Sequence, residues 1–288
     1  MVGSKHPWKA WLYLSPAIVL LLIFTVWPIF NTVRIAFLED YNAMALIGGK
    51  TFEVGLKNFK VVVTDPGFKN FLGNTLLLCV LTVPISTFLA LVISVCLNAI
   101  KPFRRLLQTI FFLPYVTNSI AIGMVFAAMF NIINVNFLGT PYETSVGIVN
   151  NIIEFFGGDP INWINAGSNK LTHMAVMVIY IVWNALPFKI LILLGGLQSV
   201  NKQYYDAAKV DGTSRLRTFT RITVPLLSPM ITYVVITGFI GGFKEYSSIV
   251  GIFGADMTPP GTDNTNNMNT MVGYIYNAIE KNNMYGYA

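Results

Sequence analysis

Five apolar runs, residues 11–37, 71–100, 107–132, 171–197 and 230–253, are separated by polar stretches. Each exceeds the ~20 apolar residues that a helix needs to cross a bilayer, so each predicts a transmembrane helix. The 288 residues thus read as one all-α, polytopic membrane domain. The first run is too long for the core of a cleavable signal peptide, and no small-x-small site follows it, so it is expected to be retained. Pro28 at most kinks it. The third run carries LPYVTNS near its start, where Pro114 frees a backbone carbonyl at hydrocarbon depth. The fifth is glycine-rich and interrupted by Lys244-Glu245. Between the runs, Glu39 to Asn70 and Asn134 to Asn169 are expected outside the membrane, the second with a short helix around Val149 to Phe156. Residues 255–269 form a loop, and Tyr274 to Ala288 reads as an interfacial helix rather than a span.

Composition agrees with the runs. Apolar residues make up 54% and charged residues 11%, with a mean hydropathy of +0.60, which excludes a soluble globular domain of this length. The net charge of +6 is explained by location rather than by nucleic acid. With the N-terminus cytoplasmic, ten basic residues, among them Lys5, Lys9, Lys101, Arg104 and Arg105, fall inside, against two acids. Cys79 and Cys96 share one predicted helix and lie roughly 25 Å apart along it, so they form no disulfide. His6 and His173 have no ligand-type neighbours, and no metal site is predicted. Gly48-Gly49-Lys50-Thr51 looks like the tail of a phosphate loop, but Met44 stands where the leading glycine is needed. No catalytic constellation is present.

Residues 198–229 carry the most informative pattern. Asn201 is placed to cap one helix, with Tyr204 and Ala208 on one face, and Gly212 to end it, since glycine accepts positive φ. Thr213 or Ser214 starts a second helix with Leu216, Phe219 and Ile222 on one side and Arg215, Arg217 and Arg221 at its flanks. Pro225 and Pro229 are expected to end that helix. Read on its own, the segment is also compatible with a solvated amphipathic loop in which Asp206 and Lys209 form an exposed pair.

Asp206-Ala207-Ala208, Asp211-Gly212, Phe219, Ile222 and Pro225 together resemble the EAA loop of ABC importer permeases, EAA-x-x-D-G-A followed by F-x-x-I-x-x-P. Asp206 stands in place of the usual Glu and Thr213 in place of Ala. The first span resembles the first core helix of maltose-type sugar permeases, and the likeness covers nearly the whole chain. It implies a carbohydrate-uptake membrane subunit in the bacterial inner membrane. The loop would be a cytoplasmic helix-turn-helix that docks the ATPase through Tyr205, Asp206, Ala207, Ala208, Asp211, Gly212, Arg215, Phe219 and Ile222. Implied partners are a homologous second permease, two ATPase subunits and an extracytoplasmic solute-binding protein. ATP and Mg would reside in the ATPase, leaving this chain without a cofactor and without enzymatic activity. The resemblance also implies a sixth helix after the Tyr-Gly-Tyr-Ala ending, whose absence from this sequence reads either as a truncation, the preferred reading, or as a departure from the family.

Polar residues at membrane depth are costly unless they face a cavity or a partner. Tyr115 and Ser119, four apart on one predicted helix, and Trp183, Asn184, Gly238, Gly242 and Glu245 are therefore the expected substrate path. Aromatic faces stack on sugar C–H faces while Asn, Ser, Tyr and Glu give directional hydrogen bonds. Packing of small residues competes as an explanation for the glycines and Ser119. Asn184, Gly238 and Glu245 do not match a maltose site, so the sugar is expected to differ. Alternatives are a permease for polyamine or phosphoglycerol, or a channel or scaffold without ATP coupling. Lys189 and Lys244 are too few buried cations for a strongly anionic solute.

Overall fold

A computed structural model describes residues 8–42, 51–100, 104–137, 140–144, 147–259, 267–280 and 284–288. Lys5, His6, Gly48 to Lys50, Lys101 to Phe103 and Pro260-Gly261, on which several readings above rest, lie outside them. In chain order the described elements are α1 (Trp8–Ala36), α2 (Lys57–Thr64), α3 (Phe68–Ala99), α4 (Arg104–Val116), α5 (Ser119–Phe130), β1 (Ile133–Phe137), β2 (Thr140–Thr144) and α6 (Ile148–Phe155). They continue with α7 (Lys170–Ser199), α8 (Lys202–Val210), α9 (Arg215–Leu226), α10 (Ser228–Phe243), α11 (Ser247–Phe253) and α12 (Met271–Glu280). By length and composition α1, α3 and α7 are each able to cross a membrane. The number rises to five if two bent pairs, α4 with α5 and α9 with α10, each make one crossing. The fold is helical, apart from an antiparallel hairpin of β1 and β2 in the stretch expected to be outer loop.

The chain divides into two compact units, residues 1–68 with 274–288, and residues 69–273. In the first, α1 exposes Trp11, Tyr13, Phe24, Trp27 and Phe30. Such a surface suits lipid or another apolar helix rather than water. Pro28 does more than kink it. Over Leu22–Val26 the helix widens, and the Trp27 N–H reaches back five residues to the Leu22 carbonyl. Proline lacks an N–H and crowds the carbonyl four residues back, and a wider turn just ahead of it relieves that crowding. The same device recurs at the same offset over Phe219–Thr223, ahead of Pro225. Elsewhere in this unit Asn58 donates to the carbonyls of Ala36 and Leu38, and Lys57 pairs with Asp40 at 2.6 Å. The Tyr274 hydroxyl donates to Asp65 at 3.1 Å. Burial, and then that carboxylate, push its phenol up to about 12.

In the second unit α3 buries one long stripe that mixes apolar and hydroxyl residues. Thr75, Thr82, Ser86 and Thr87 each donate to the carbonyl four residues back. The polar groups are thereby satisfied inside the helix itself, which is how hydroxyls are tolerated away from water. Two apolar clusters flank the middle of the helices. One joins Leu78, Phe126, Met177, Tyr180 and Ile249; the other joins Ala90, Leu91, Leu193, Leu197 and Leu227.

Asn267 to Thr270 is wholly buried against the start of α3. Asn74 Nδ2 donates to the carbonyls of Asn267 (3.0 Å) and Asn269 (2.9 Å), and the Met271 N–H donates to Thr75 Oγ1 at 3.1 Å. Asn74 is 1% exposed, so solvent cannot replace the bonds. Truncating Asn74 to Ala strands the buried Asn269 carbonyl and leaves that of Asn267 with the longer bond from Asn70 Nδ2 at 3.2 Å, and is expected to destabilise the protein by about 2 kcal/mol. A lowered thermal midpoint of the detergent-purified chain checks this, and an unchanged midpoint refutes the clamp.

Candidate functional site

The third apolar run does not form one helix. Pro114 removes a hydrogen bond, Thr117 turns its hydroxyl back to the Pro114 carbonyl at 2.7 Å, and Asn118 is extended and caps α5 through the N–H groups of Ile120 and Ala121. The result is a 106° corner between α4 and α5. Tyr115 and Ser119 therefore do not share a helix face, contrary to expectation. They stand on the two sides of the corner. Tyr180 of α7 holds it by donating to the Ser119 carbonyl at 2.6 Å.

The fifth run is divided as well. α10 stops at Phe243, because Gly241 and Gly242 favour a helix end and their carbonyls take the N–H groups of Lys244 (3.0 Å) and Glu245 (3.2 Å). Glu245 then accepts the Ser248 N–H at 3.1 Å and so caps α11. A carboxylate at a helix N-terminus is favourable on its own account. Thr270 donates to the Glu245 carbonyl at 2.7 Å, fixing the break from the other side.

These two breaks, with α3 and α7, enclose a cavity of about 360 Å³. Of the expected path residues, Tyr115, Ser119, Asn184, Gly238, Gly242 and Glu245 line it. Trp183 does not: neighbouring positions on a helix point about 100° apart, and Trp183 packs on Phe126 at 5.2 Å instead. Lys244 is exposed and lies outside the lining. The residues missed by sequence reading are Thr82, Ser86, Thr117, Phe188 and Thr237, and Lys189 was underrated. The rings of Tyr115 and Phe188 stack at 5.9 Å with 17° between their planes, forming an aromatic wall. Hydroxyl groups of α3 and of the corner, the Asn184 amide and two charged side chains complete it. Such a mixture of aromatic faces and hydrogen-bonding groups suits a polyhydroxylated ligand.

The loop after α7 is built from local rules. Asn201 caps α8 through the Gln203 N–H at 3.0 Å. At the other end the Thr213 N–H reaches the Ala208 carbonyl (2.9 Å), the Gly212 N–H reaches Lys209 (3.1 Å), and Gly212 has φ +64. This is a glycine-terminated helix end. Ser214, not Thr213, caps α9. The inner face of α8 runs through Tyr205 and Ala208 rather than Tyr204, which is exposed: Ala208 is buried and the Tyr205 hydroxyl lies 3.3 Å from Thr223 Oγ1. Pro225 does not end α9, because the widened turn before it lets the helix run to Leu226; a 68° bend follows, with Pro229 in the first turn of α10. Asp206 and Lys209 form an exposed ion pair at 3.3 Å. Asp206, Ala207, Asp211, Gly212 and Arg215 are on the surface, and Phe219 and Ile222 follow along the second helix.

Comparison with known proteins agrees with this geometry. The chain is 29% identical over 278 residues, 96% of its length and 80% of the relative's, to the arabinooligosaccharides transport system permease protein AraP of Bacillus subtilis. It is 28% identical over 272 residues, 93% of its length and 82% of the relative's, to the lactose transport system permease protein LacF of Rhizobium radiobacter. Among solved structures, a bacterial ABC transporter involved in the import of the acidic polysaccharide alginate superposes with a TM-score of 0.73. The match covers 98% of this chain and 88% of that one at 21% identity, and it establishes the fold. Residues 82–279, more than half of the chain, match the family described as binding-protein-dependent transport system inner membrane component, and the chain belongs to that family.

Proposed function

We propose that this chain is a membrane subunit of an ATP-driven importer of carbohydrate, most suitably an oligosaccharide, and that it forms half of the translocation path. As a permease it moves solute and makes no bonds. The observation that carries the saccharide reading is the cavity, with its stacked Tyr115 and Phe188 beside Ser86, Ser119, Asn184 and Glu245. The relatives that are permeases for arabinooligosaccharides and for lactose support it.

In this reading the N-terminus and residues 198–229 are cytoplasmic. The segment from Tyr205 to Ile222 seats in one of two ATPase subunits, which hold ATP and Mg. A homologous second permease completes the path, and an extracytoplasmic binding protein delivers the sugar. Closure of the ATPases on ATP moves α8 and α9, and the bend into α10 passes that motion to Gly238, Gly242 and the break at Glu245. α9 and α10 are joined through one residue, so little of the stroke is dissipated between them.

The docking is tested by cross-linking. Lys209 is well exposed, so Lys209→Cys, in a chain whose exposed Cys96 is replaced by Ser, is expected to capture a nucleotide-hydrolysing subunit from inside the membrane. Capture only by reagents applied outside, or none with the assembled importer, refutes the reading.

A further inference from the structure

We infer that the cavity takes a saccharide bearing an acidic group, a ring carboxylate in particular, and that Lys189 is the residue that selects it. This rests on the reading of the cavity as a saccharide path and goes beyond it by naming the kind of sugar.

Lys189 sits in the middle of α7, 4% exposed, with its ammonium in the cavity wall. Its Nζ donates to Ser86 Oγ at 2.7 Å, to Thr87 Oγ1 at 2.9 Å and to the Val83 carbonyl at 3.3 Å. All three acceptors are neutral. The ion pairs among the described residues are Lys57 with Asp40 and Lys209 with Asp206, so no described carboxylate lies within ion-pair distance of Lys189. An ammonium held at membrane depth without a counter-charge is costly, and such a group marks a solute or ion path by default.

The surroundings are arranged to present this charge. The hydroxyl hydrogens of Ser86 and Thr87 are committed to the carbonyls of Thr82 (2.5 Å) and Val83 (2.7 Å), so their oxygens are left to accept from Lys189. The third contact is the long one, and its acceptor already serves Thr87. That N–H is free to turn to a ligand while the other two hold the ammonium in place. Gly238 of α10, which also lines the cavity, lies directly beside the ammonium: a β-carbon there would stand 3.2 Å from Nζ and 3.1 Å from Val83 Cγ1, so any side chain at this position would press on the charge and cover it.

The carboxylate lining the same cavity is Glu245, seven positions further along the chain from Gly238. It is engaged by the Ser248 N–H. It forms no ion pair with Lys189, the pairs among the described residues being those of Lys57 with Asp40 and Lys209 with Asp206. The cavity therefore has a positive end at Lys189 and a negative end at Glu245. A neutral sugar uses both only as hydrogen-bonding groups. An acidic sugar is bound in one orientation, its carboxylate at Lys189 and its hydroxyls donating toward Glu245. One ammonium answers one acidic group, not a densely charged solute.

The test is equilibrium binding to the purified permease–ATPase assembly without its soluble binding protein. Two matched pairs serve as probes: cellobiouronate with cellobiose, and digalacturonate with galactobiose. For at least one pair the acidic member is expected to bind about tenfold more tightly in the wild type. Lys189→Met is expected to weaken the acidic member about tenfold more than the neutral one and so to remove that preference, and Lys189→Arg to keep it. Glu245→Gln, which retains an oxygen to cap α11, is expected to widen the preference. Equal binding of both members, or preference for the neutral one, in the wild type overturns the inference and leaves the saccharide reading standing; this arm needs no variant to fold. Equal weakening of both members by Lys189→Met also overturns it, making Lys189 only a clamp between α3 and α7. Binding of none of the four overturns it and counts against the saccharide reading as well.

Discussion

Gly212→Pro is expected to leave the subunit assembled in the membrane and to abolish stimulation of ATP hydrolysis by the sugar-loaded binding protein, a fall of about tenfold or more in the stimulated rate. The physical cause is confined to the backbone. Gly212 sits at φ +64, and a β-carbon built on it meets nothing within 4 Å, so space is not what requires glycine there. Proline is locked near −65° and also lacks the N–H that reaches the Lys209 carbonyl. The turn between α8 and α9 cannot form with it. Gly212→Ala keeps the N–H and pays only the left-handed conformation, about 1–2 kcal/mol, and is expected to retain most of the stimulation; Gly212→Asn is expected to retain more. The substitution touches neither apolar cluster, so the membrane part stays folded. Stimulated hydrolysis at the wild-type rate in Gly212→Pro, measured on assemblies of equal subunit composition, removes this loop from the coupling path.

What could be read in the sequence was whatever is decided locally. The long apolar runs that became α1, α3 and α7 need only their own composition to declare themselves. The turn at Gly212 and the caps at Asn201 and Ser214 follow from residues within five positions of one another. The breaks at Thr117-Asn118 and Lys244-Glu245 were less legible, because a polar interruption in an apolar run is equally what a continuous helix facing a cavity shows. Asn118 before Ser-Ile-Ala-Ile, four residues after Pro114, was the signal for the first break. At the second, Glu245 read as a site residue, and its bond to the Ser248 N–H adds a structural duty. Trp183 was misplaced because two polar-capable neighbours were put on one face. Lys189 was undervalued because its acceptors at 83, 86 and 87 are about a hundred residues away in sequence. The hairpin of β1 and β2 was not anticipated.

The crossing of α5 with α11 is expected to be the least tolerant point of the membrane part. Gly123 and Gly251 meet backbone to backbone: a β-carbon on Gly123 would lie 2.7 Å from the Gly251 Cα, and one on Gly251 would lie 2.9 Å from the Gly123 Cα. No flexible side chain is available to yield, so any substituent must part the helices. Membrane helices lack a hydrophobic driving force toward one another and rely on such close approach for their packing. Gly123→Leu is therefore expected to cost more than the 1–3 kcal/mol typical of overpacking, roughly 4 kcal/mol, and to prevent accumulation of the subunit in the membrane. Gly123→Ala is expected to accumulate poorly and to lower the thermal midpoint. The functional consequence follows from the chain path: α5 begins at Ser119, and α11 is capped by Glu245, and both residues line the cavity, so the two helices carry adjoining walls of it. Parting them displaces both walls, and solute uptake per assembled complex is expected to fall further than the loss of protein explains. Gly73 and Gly195 supply the control. Both lie inside helices with nothing within 4 Å of a β-carbon, and alanine at either is expected to be neutral or to stabilise by up to about 1 kcal/mol. If Gly123→Ala behaves like Gly73→Ala in thermal denaturation and uptake, the close crossing does not hold this domain together.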